Sequence, residues 1–146
     1  MPVLLVGCGR MGGAMARGWA GSEHIFVHDP LAEALPDGAT RVDRLDALAP
    51  DDLVVVLAVK PQVFASLAPS LGPLADGGAL FVSIMAGITL AGLSEALGGS
   101  RRIVRAMPNT PAAIGRGITA AAAGEAIDTA DRSRVEALLA PTGALL

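Results

Sequence analysis

The chain has 146 residues and a formal net charge of −3, and 52% of its residues are hydrophobic. This length and composition fit one domain with a sizeable core, so we expect a single domain over residues 1–146. Acidic residues outnumber basic ones by 14 to 11 and aromatic residues make up 3%, which argues against nucleic-acid binding. The longest strictly apolar run, residues 53–59, is too short to cross a membrane, which takes about 20 residues. The single cysteine rules out an internal disulfide and favours a cytoplasmic location.

Strand-like apolar runs alternate with helix-like segments along the chain. Strands are predicted at residues 2–6, 24–28, 53–59, 79–84 and 102–107, with a weak strand near Arg41 and Val42. Helices are predicted at 11–20, from Pro61 onward, at 90–97 and at 128–139, whereas 117–122 fit a strand or a helix. This order predicts an α/β fold, a Rossmann-like, doubly wound and mainly parallel sheet. The last residues look like the start of another strand, so we expect the chain to be part of a longer polypeptide.

A glycine-rich segment follows the first predicted strand and opens the first predicted helix. We call it the glycine loop; it consists of Gly7, Cys8, Gly9, Arg10, Met11 and Gly12. In this pattern the first glycine permits a tight turn, the second lets the backbone approach a pyrophosphate, and the third lets the helix pack closely on the strand. The free N–H groups at a helix N-terminus bind phosphate. The sequence therefore predicts dinucleotide binding at Val6 and the glycine loop.

An acidic residue ends the second predicted strand, where dinucleotide-binding folds contact the adenosine ribose. Asp29 lies 20 residues after Gly9, and His28 before it is a further candidate for the ribose. A carboxylate accepts hydrogen bonds from the 2′-hydroxyl of NAD and repels the 2′-phosphate of NADP. No basic residue follows Asp29 directly, although Arg41 or Arg44 could approach from the next strand. We expect NADPH or NADH as the cofactor, with NADH favoured, unless Asp29 only caps the next segment.

Three further loops should lie beside the glycine loop, because the carboxyl ends of parallel strands share one edge of the sheet. They are residues 58–61, 83–87 and 107–111, and each is rich in small or proline-fixed residues. Small side chains let a flat cofactor touch the backbone, and the prolines around Asn109 and Thr110 would hold both side chains still. Lys60, the only lysine, suits an anionic group, and a solvated surface role fits it equally well.

Four stretches of the sequence resemble one enzyme family. GCGRMGGA, LAVKPQ, SIMAGIT and above all RAMPNTPAAIGRGITA look like the N-terminal half of pyrroline-5-carboxylate reductase, and these motifs run from Val6 to Ala120. The resemblance implies reduction of the cyclic imine 1-pyrroline-5-carboxylate to L-proline, the last step of proline biosynthesis, by hydride transfer from NADPH or NADH. It also implies a C-terminal all-helical domain, absent from this chain, through which the full-length protein forms a homo-oligomer and completes the substrate pocket.

By this resemblance, binding roles can be assigned to individual residues. Residues 6–11 would wrap the pyrophosphate, and Asn109 would face the reaction centre and bind substrate. The nicotinamide side would be lined by Ala58, Val59, Lys60, Pro61, Ile84, Met85 and Ala86. No catalytic residue and no metal site is assigned, because a protonated imine is already electrophilic and the protein mainly has to orient two rings.

Two other functional classes stay open. One is a different Rossmann oxidoreductase, of the β-hydroxyacid dehydrogenase type or deazaflavin-dependent. The former usually carries a serine/threonine-rich substrate loop where this chain has residues 85–88. The other class is a non-catalytic dinucleotide-binding module.

Three arginines, Arg101, Arg102 and Arg105, lie in or next to the predicted strand at 102–107. We expect them to form a solvated strand edge rather than a phosphate clamp.

Overall fold

Helices and strands alternate in the computed structural model, which describes residues 2–19, 24–108 and 117–145. The strands are β1 (Pro2–Val6), β2 (His24–His28), β3 (Thr40–Arg41), β4 (Val54–Leu57), β5 (Leu80–Ser83), β6 (Ile103–Pro108), β7 (Gly117–Ala123) and β8 (Gly143–Leu145). The helices are α1 (Arg10–Trp19), α2 (Pro61–Asp76), α3 (Leu90–Ala96) and α4 (Thr129–Leu139). Short 3-10 helices cover Leu45–Ala47 and Ala140–Thr142.

The described strands form one sheet in the order β3-β2-β1-β4-β5-β6-β7-β8. The first six of these are parallel, β7 runs antiparallel to β6, and β8 is parallel to β7. The chain builds outward from β1 to β3 and then returns to place β4 on the other side of β1. Strand order therefore reverses between β1 and β4, the position where open α/β sheets bind ligands. The predicted mainly parallel, doubly wound fold is confirmed.

Two apolar layers cover the two faces of the sheet. Helices α1 and α4 pack on the face that carries Val3 and Leu5, and α2 and α3 pack on the face that carries Leu4 and Val6. All four residues of β4 are buried, since a central parallel strand is covered on both sides. This burial explains the unbroken apolar run at 53–59.

Local signals in the sequence set several helix ends. Pro61 is the first residue of α2, and the Thr89 hydroxyl accepts a hydrogen bond from the Gly92 amide at the start of α3. Asp128 caps α4 by accepting from the Asp131 amide at 2.8 Å, and Asp131 accepts in return from the Asp128 amide. In the part of the chain that the structure describes, no helix combines the length and apolar character of a membrane span.

Two of the three arginines depart from the expected solvated edge. Arg105 lies in β6, between β5 and β7, and its Nε is buried. Arg102 donates to the buried Asp131 carboxylate at 2.6 Å and to the Gly78 carbonyl, so it ties the start of α4 to the turn after α2. Arg101 lies on the surface and pairs with exposed Glu125 at 3.4 Å, as expected. The expectation was wrong for Arg102 because its partner lies 29 residues further along the chain.

Candidate cofactor-binding site

The candidate residues outside 109–116 lie along one edge of the sheet, at the carboxyl ends of β1, β2, β4 and β5. Backbone hydrogen bonds join these strand ends. The Gly7 amide donates to the His28 carbonyl at 3.0 Å, and the Ala58 amide donates to the Val6 carbonyl at 2.8 Å. The Ile84 amide extends the series by donating to the Leu57 carbonyl at 3.0 Å. Asn109 lies outside the described residues.

The three glycines of the glycine loop have different surroundings. Gly7 has φ +91°, and a Cβ atom added there would lie 2.7 Å from the Ala58 carbonyl oxygen. A Cβ on Gly12 would lie 2.6 Å from the Gly7 oxygen, so neither position has room for a side chain. A Cβ on Gly9 meets nothing within 4 Å. Folding therefore requires glycine at positions 7 and 12, and it leaves an open space over Gly9.

The start of α1 faces this open space with unpaired donors and positive charge. The first helical hydrogen bond runs from the Gly13 amide to the Gly9 carbonyl at 2.8 Å, so the amides of residues 10–12 have no acceptor within the helix. Arg10 is exposed at the positive end of the helix dipole, where a cation disfavours the helix. The first turn carries no acidic side chain to offset it. Such an arrangement suits an anionic ligand such as a diphosphate.

Asp29 contacts the glycine loop directly. Its Oδ2 accepts a hydrogen bond from the Cys8 amide at 2.8 Å, and its Oδ1 accepts from the Leu31 amide at 2.9 Å. Arg41 lies on the other side of the same turn and donates to the carbonyls of Asp29 and Ala32, at 2.8 and 2.5 Å. The Asp-Pro pair at 29–30 indicates a turn here, and Arg41 does approach it from the next strand, whereas nothing in the sequence indicates the contact with Cys8.

Arg44, the other candidate cation, is engaged elsewhere. It forms an exposed ion pair with Asp46 at 2.8 Å, and this hydrogen bond and charge hold the pKa of the Asp46 carboxyl below its usual value. Arg41 is therefore the closer basic side chain to Asp29.

The Cys8 thiol belongs to the α1 side of the loop. Burial raises the pKa of this thiol, the Asp29 charge raises it further, and Arg17 acts in the opposite direction. Cys8, Gly9 and Arg17 also line an open cleft of about 400 Å³ against residues 34–37. The half-buried Cys8 side chain also packs against the core cluster beside α1.

His28 is held by the neighbouring strand segment. Its Nδ1 lies 2.8 Å from the Val42 carbonyl, which can only accept, so Nδ1 carries the proton. The ring borders a second open cleft, of about 370 Å³, between the end of β2 and α2. The hydrogen bond at Nδ1 leaves Nε2 as the ring nitrogen that can contact a ligand.

The remaining candidate residues divide by exposure. Lys60, Pro61 and Ala86 are exposed, whereas the side chains of Val6 and Met85 are buried in the core. Ala58, Val59 and Ile84 are half-buried, like Met11. Val6 and Met85 can therefore reach a ligand only through their backbones. Among the described residues, no group of three His, Cys, Asp or Glu side chains is placed to hold a metal ion.

Comparison with known proteins agrees with this geometry. Residues 2–87 match the family described as "NADP oxidoreductase coenzyme F420-dependent". The pyrroline-5-carboxylate reductase of Aquifex aeolicus is 35% identical over 152 residues, covering 99% of this chain and 56% of that protein.

Two solved structures are similar to this chain in fold as well as in sequence. A pyrroline-5-carboxylate reductase from Coxiella burnetii has a TM-score of 0.85 at 29% identity, covering 99% of this chain and 57% of that one. A pyrroline carboxylate reductase from Plasmodium falciparum, with NADP bound, has a TM-score of 0.84 at 26% identity and covers 100% of this chain and 56% of that one. The chain spans little more than half the length of these relatives. It belongs to the NADP oxidoreductase coenzyme F420-dependent family and is similar, over nearly its whole length, to the N-terminal domain of pyrroline-5-carboxylate reductases.

Proposed function

We propose that this chain is the dinucleotide-binding part of a pyrroline-5-carboxylate reductase, which reduces 1-pyrroline-5-carboxylate to L-proline with NADPH or NADH. Relatives with that name match almost all of the chain, including residues beyond 87 where the family match ends. The proposal includes a cytoplasmic location and a homo-oligomeric full-length protein. It also includes the binding roles assigned above, with Asn109 at the substrate.

The open space over Gly9 is the main support for the proposal that the glycine loop binds the cofactor. Packing within the chain explains Gly7 and Gly12, but nothing in the described structure crowds position 9. The amides at the start of α1 follow Gly9 directly in the chain, and Arg10 beside it is exposed. Both features fit a diphosphate that approaches the backbone.

Reduction of the imine requires little acid–base catalysis from the residues of this chain. A bound reduced nicotinamide supplies a hydride to the imine carbon. Residues 58–61 and 84–86 would hold the ring in place through backbone and small side chains, and the glycine loop would fix the diphosphate. Asn109 would orient the substrate. The chain thus contributes mainly positioning and exclusion of water.

A single methyl group tests the glycine-loop assignment. Gly9→Ala should raise the Kd for NADH and NADPH at least about tenfold, equivalent to roughly 1.4 kcal/mol, because the methyl occupies the diphosphate position. The free energy of unfolding should change by less than about 1 kcal/mol, since only a helix N-cap is altered. Titration calorimetry and urea unfolding measure the two effects.

Gly72→Ala is the matched control. A Cβ at position 72 also meets nothing within 4 Å, and Gly72 lies inside α2, away from the strand ends. This variant should bind both cofactors like the original chain, and its free energy of unfolding should change by less than about 1 kcal/mol, because Pro73 disfavours a preceding side chain in a helix and offsets the helix propensity of alanine. Unchanged cofactor binding by Gly9→Ala would contradict the assignment.

Substrate specificity is tested on the full-length protein that contains this chain. Oxidation of NADPH or NADH should depend on added 1-pyrroline-5-carboxylate, with L-proline as product. Turnover of a 3-hydroxyacid instead would favour the β-hydroxyacid dehydrogenase alternative. Cofactor binding without turnover of either compound would favour a non-catalytic binding module.

The preference between the two cofactors is a separate part of the proposal. We propose a lower Kd for NADH, because the Asp29 carboxylate lies at the end of β2 and would repel a 2′-phosphate. Arg44 is paired with Asp46, and Arg41 already donates to two carbonyls, so neither fully offsets this charge. Titration of both cofactors under the same conditions measures the ratio, and tighter NADPH binding would reject this preference.

A further inference from the structure

The turn at residues 29–32 is hydrogen-bonded on both sides. Within the turn, the Ala32 amide donates to the Asp29 carbonyl at 3.2 Å and the Leu31 amide donates to the Asp29 carboxylate at 2.9 Å. Outside it, Arg41 donates to the Asp29 and Ala32 carbonyls, and the Cys8 amide donates to the second carboxylate oxygen. Asp29 thus connects β3, the turn and the glycine loop.

We propose that Asp29 is a positioning residue that holds the glycine loop in its phosphate-binding conformation through the Cys8 amide. This role is distinct from any contact of Asp29 with ribose, and it rests on the proposed binding of a dinucleotide at the loop. Both carboxylate oxygens accept a backbone hydrogen bond in the structure.

The position of Cys8 explains why such a contact matters. Cys8 stands between Gly7, which has a positive φ, and Gly9, where an added Cβ would meet nothing within 4 Å. Glycines leave the backbone many conformations, so the peptide between them needs an external anchor. Without Asp29, the Cys8 and Leu31 amides lose their acceptor, and the loop must be ordered when the cofactor binds.

The charge of Asp29 and its anchoring role can be separated by two substitutions. Asp29→Ala and Asp29→Asn both remove the charge, but asparagine keeps one carbonyl oxygen as an acceptor whereas alanine keeps none. Glu33→Gln removes one negative charge from an exposed position in the same segment, at a residue that does not line the cleft beside Cys8, and serves as the control.

Hydrogen exchange of the Cys8 and Leu31 amides is measured first, without cofactor, on all four proteins. Exchange at these two amides should be slowest in the original chain and in Glu33→Gln, intermediate in Asp29→Asn and fastest in Asp29→Ala. Amides of β1 and β4 should keep their protection in every variant, which distinguishes a local effect from general unfolding.

Cofactor affinities complete the test. Asp29→Ala should bind NADH and NADPH at least about fivefold more weakly than Asp29→Asn. For NADPH this difference cannot come from a 2′-hydroxyl, because that position carries phosphate. Equal affinities in the two variants, or unchanged exchange at Cys8, would overturn the anchoring role. Failure of the original chain to bind either cofactor would instead reject the proposed function. The NADH to NADPH ratio of the variants reports the charge of Asp29 together with any hydrogen bond that it accepts from the 2′-hydroxyl.

Discussion

Single glycines in the glycine loop have separate physical roles, and mutation should distinguish them. Gly7→Ala places a methyl group 2.7 Å from the Ala58 oxygen at a backbone φ of +91°. The positive φ costs about 1–2 kcal/mol and the overlap about 1–3 kcal/mol more. We therefore expect a loss of roughly 2–5 kcal/mol in the free energy of unfolding, measured by urea titration. A Gly7→Ala protein as stable as the Gly9→Ala protein would contradict the described geometry.

The Cys8 thiol offers a test of the local electrostatics. Burial and the Asp29 charge raise the pKa of this thiol above its ordinary value, and the thiolate is the reactive form. Alkylation by iodoacetamide at pH 8 should therefore be slower in the folded chain than in the urea-unfolded chain. Arg17→Ala should slow it further, because the Arg17 charge lowers this pKa.

The same shift fixes the sign of the pH effect on stability. The pKa of the Cys8 thiol is higher in the folded chain than in the unfolded chain. The contribution of the thiol to the free energy of unfolding is therefore fully present below the unfolded pKa, and it is lost as pH rises through the folded pKa. Cys8→Ser should remove this part of the alkaline loss of stability. Faster alkylation of the folded chain than of the unfolded chain would show that the sign is wrong.

The sequence was sufficient to predict where the site residues lie in the fold, but it did not predict which partners their side chains contact. The spacing from Gly9 to Asp29 located the end of β2, and the apolar run before Gly7 located β1. The hydrogen bond from Cys8 to Asp29 depends on how two loops approach each other, which no local pattern encodes. Arg102 shows the same limit, since its carboxylate partner comes from a distant helix.

At the scale of secondary-structure elements, the contact between α1 and the 3-10 helix at Ala140–Thr142 depends on a glycine. A Cβ on Gly18 would lie 2.5 Å from two carbons of the Pro141 ring. Gly18→Ala should therefore lower the free energy of unfolding by about 1–3 kcal/mol, although alanine favours helices. Thermal or urea unfolding measures the change.

Gly13→Ala in the same helix is its control. A Cβ there meets only Arg17 at 3.5 Å and the Cys8 sulfur at 3.8 Å, which are ordinary contact distances. This variant should be at least as stable as the original chain, with a gain of up to about 1 kcal/mol. A Gly18→Ala protein that gains stability like Gly13→Ala would show that α1 does not pack against Pro141.

The start of α4 depends on a buried charge. Asp131 caps the helix together with Asp128 and accepts a hydrogen bond from Arg102 at 2.6 Å, with only 9% of its side chain exposed. Asp131→Ala leaves the Asp128 cap in place, but it removes the return hydrogen bond from the Asp128 amide and a charged hydrogen bond from Arg102, worth about 1.5–3 kcal/mol. We expect a loss of roughly 2–4 kcal/mol in urea unfolding.

The exposed pair of Arg44 and Asp46 provides the comparison. Solvent screens this pair, so Asp46→Ala should leave the unfolding midpoint unchanged. If Asp131→Ala and Asp46→Ala changed the free energy of unfolding equally, burial of the pair between Arg102 and Asp131 would add nothing to stability.

Elements with mixed composition were the hardest to predict. Residues 117–122 contain a run of alanines, which favour helices, and glycine, isoleucine and threonine, which do not. Pairing with β6 makes the segment a strand, and antiparallel pairing reverses the sheet direction there. The predicted strand at 53–59 is longer than β4, because the chain turns toward α2 after Leu57.

For the whole molecule, the alternation of apolar runs with helical segments was sufficient to predict the architecture. Parallel strands need crossover helices, and helices on both faces make the central strands apolar throughout. The position of the ligand edge follows from the same rule, because every βα loop in such a sheet opens at the carboxyl ends of the strands. Substrate identity depends on sequence resemblance, since the fold alone serves many reactions.

Binding of a reduced nicotinamide dinucleotide to the chain is the most direct test of the glycine-loop assignment. Titration calorimetry with NADH and NADPH should give saturable binding with one site per chain for at least one of them, and Gly9→Ala should weaken it at least about tenfold. Absence of binding heat for both cofactors at several temperatures, with a chain that unfolds cooperatively, would contradict the assignment.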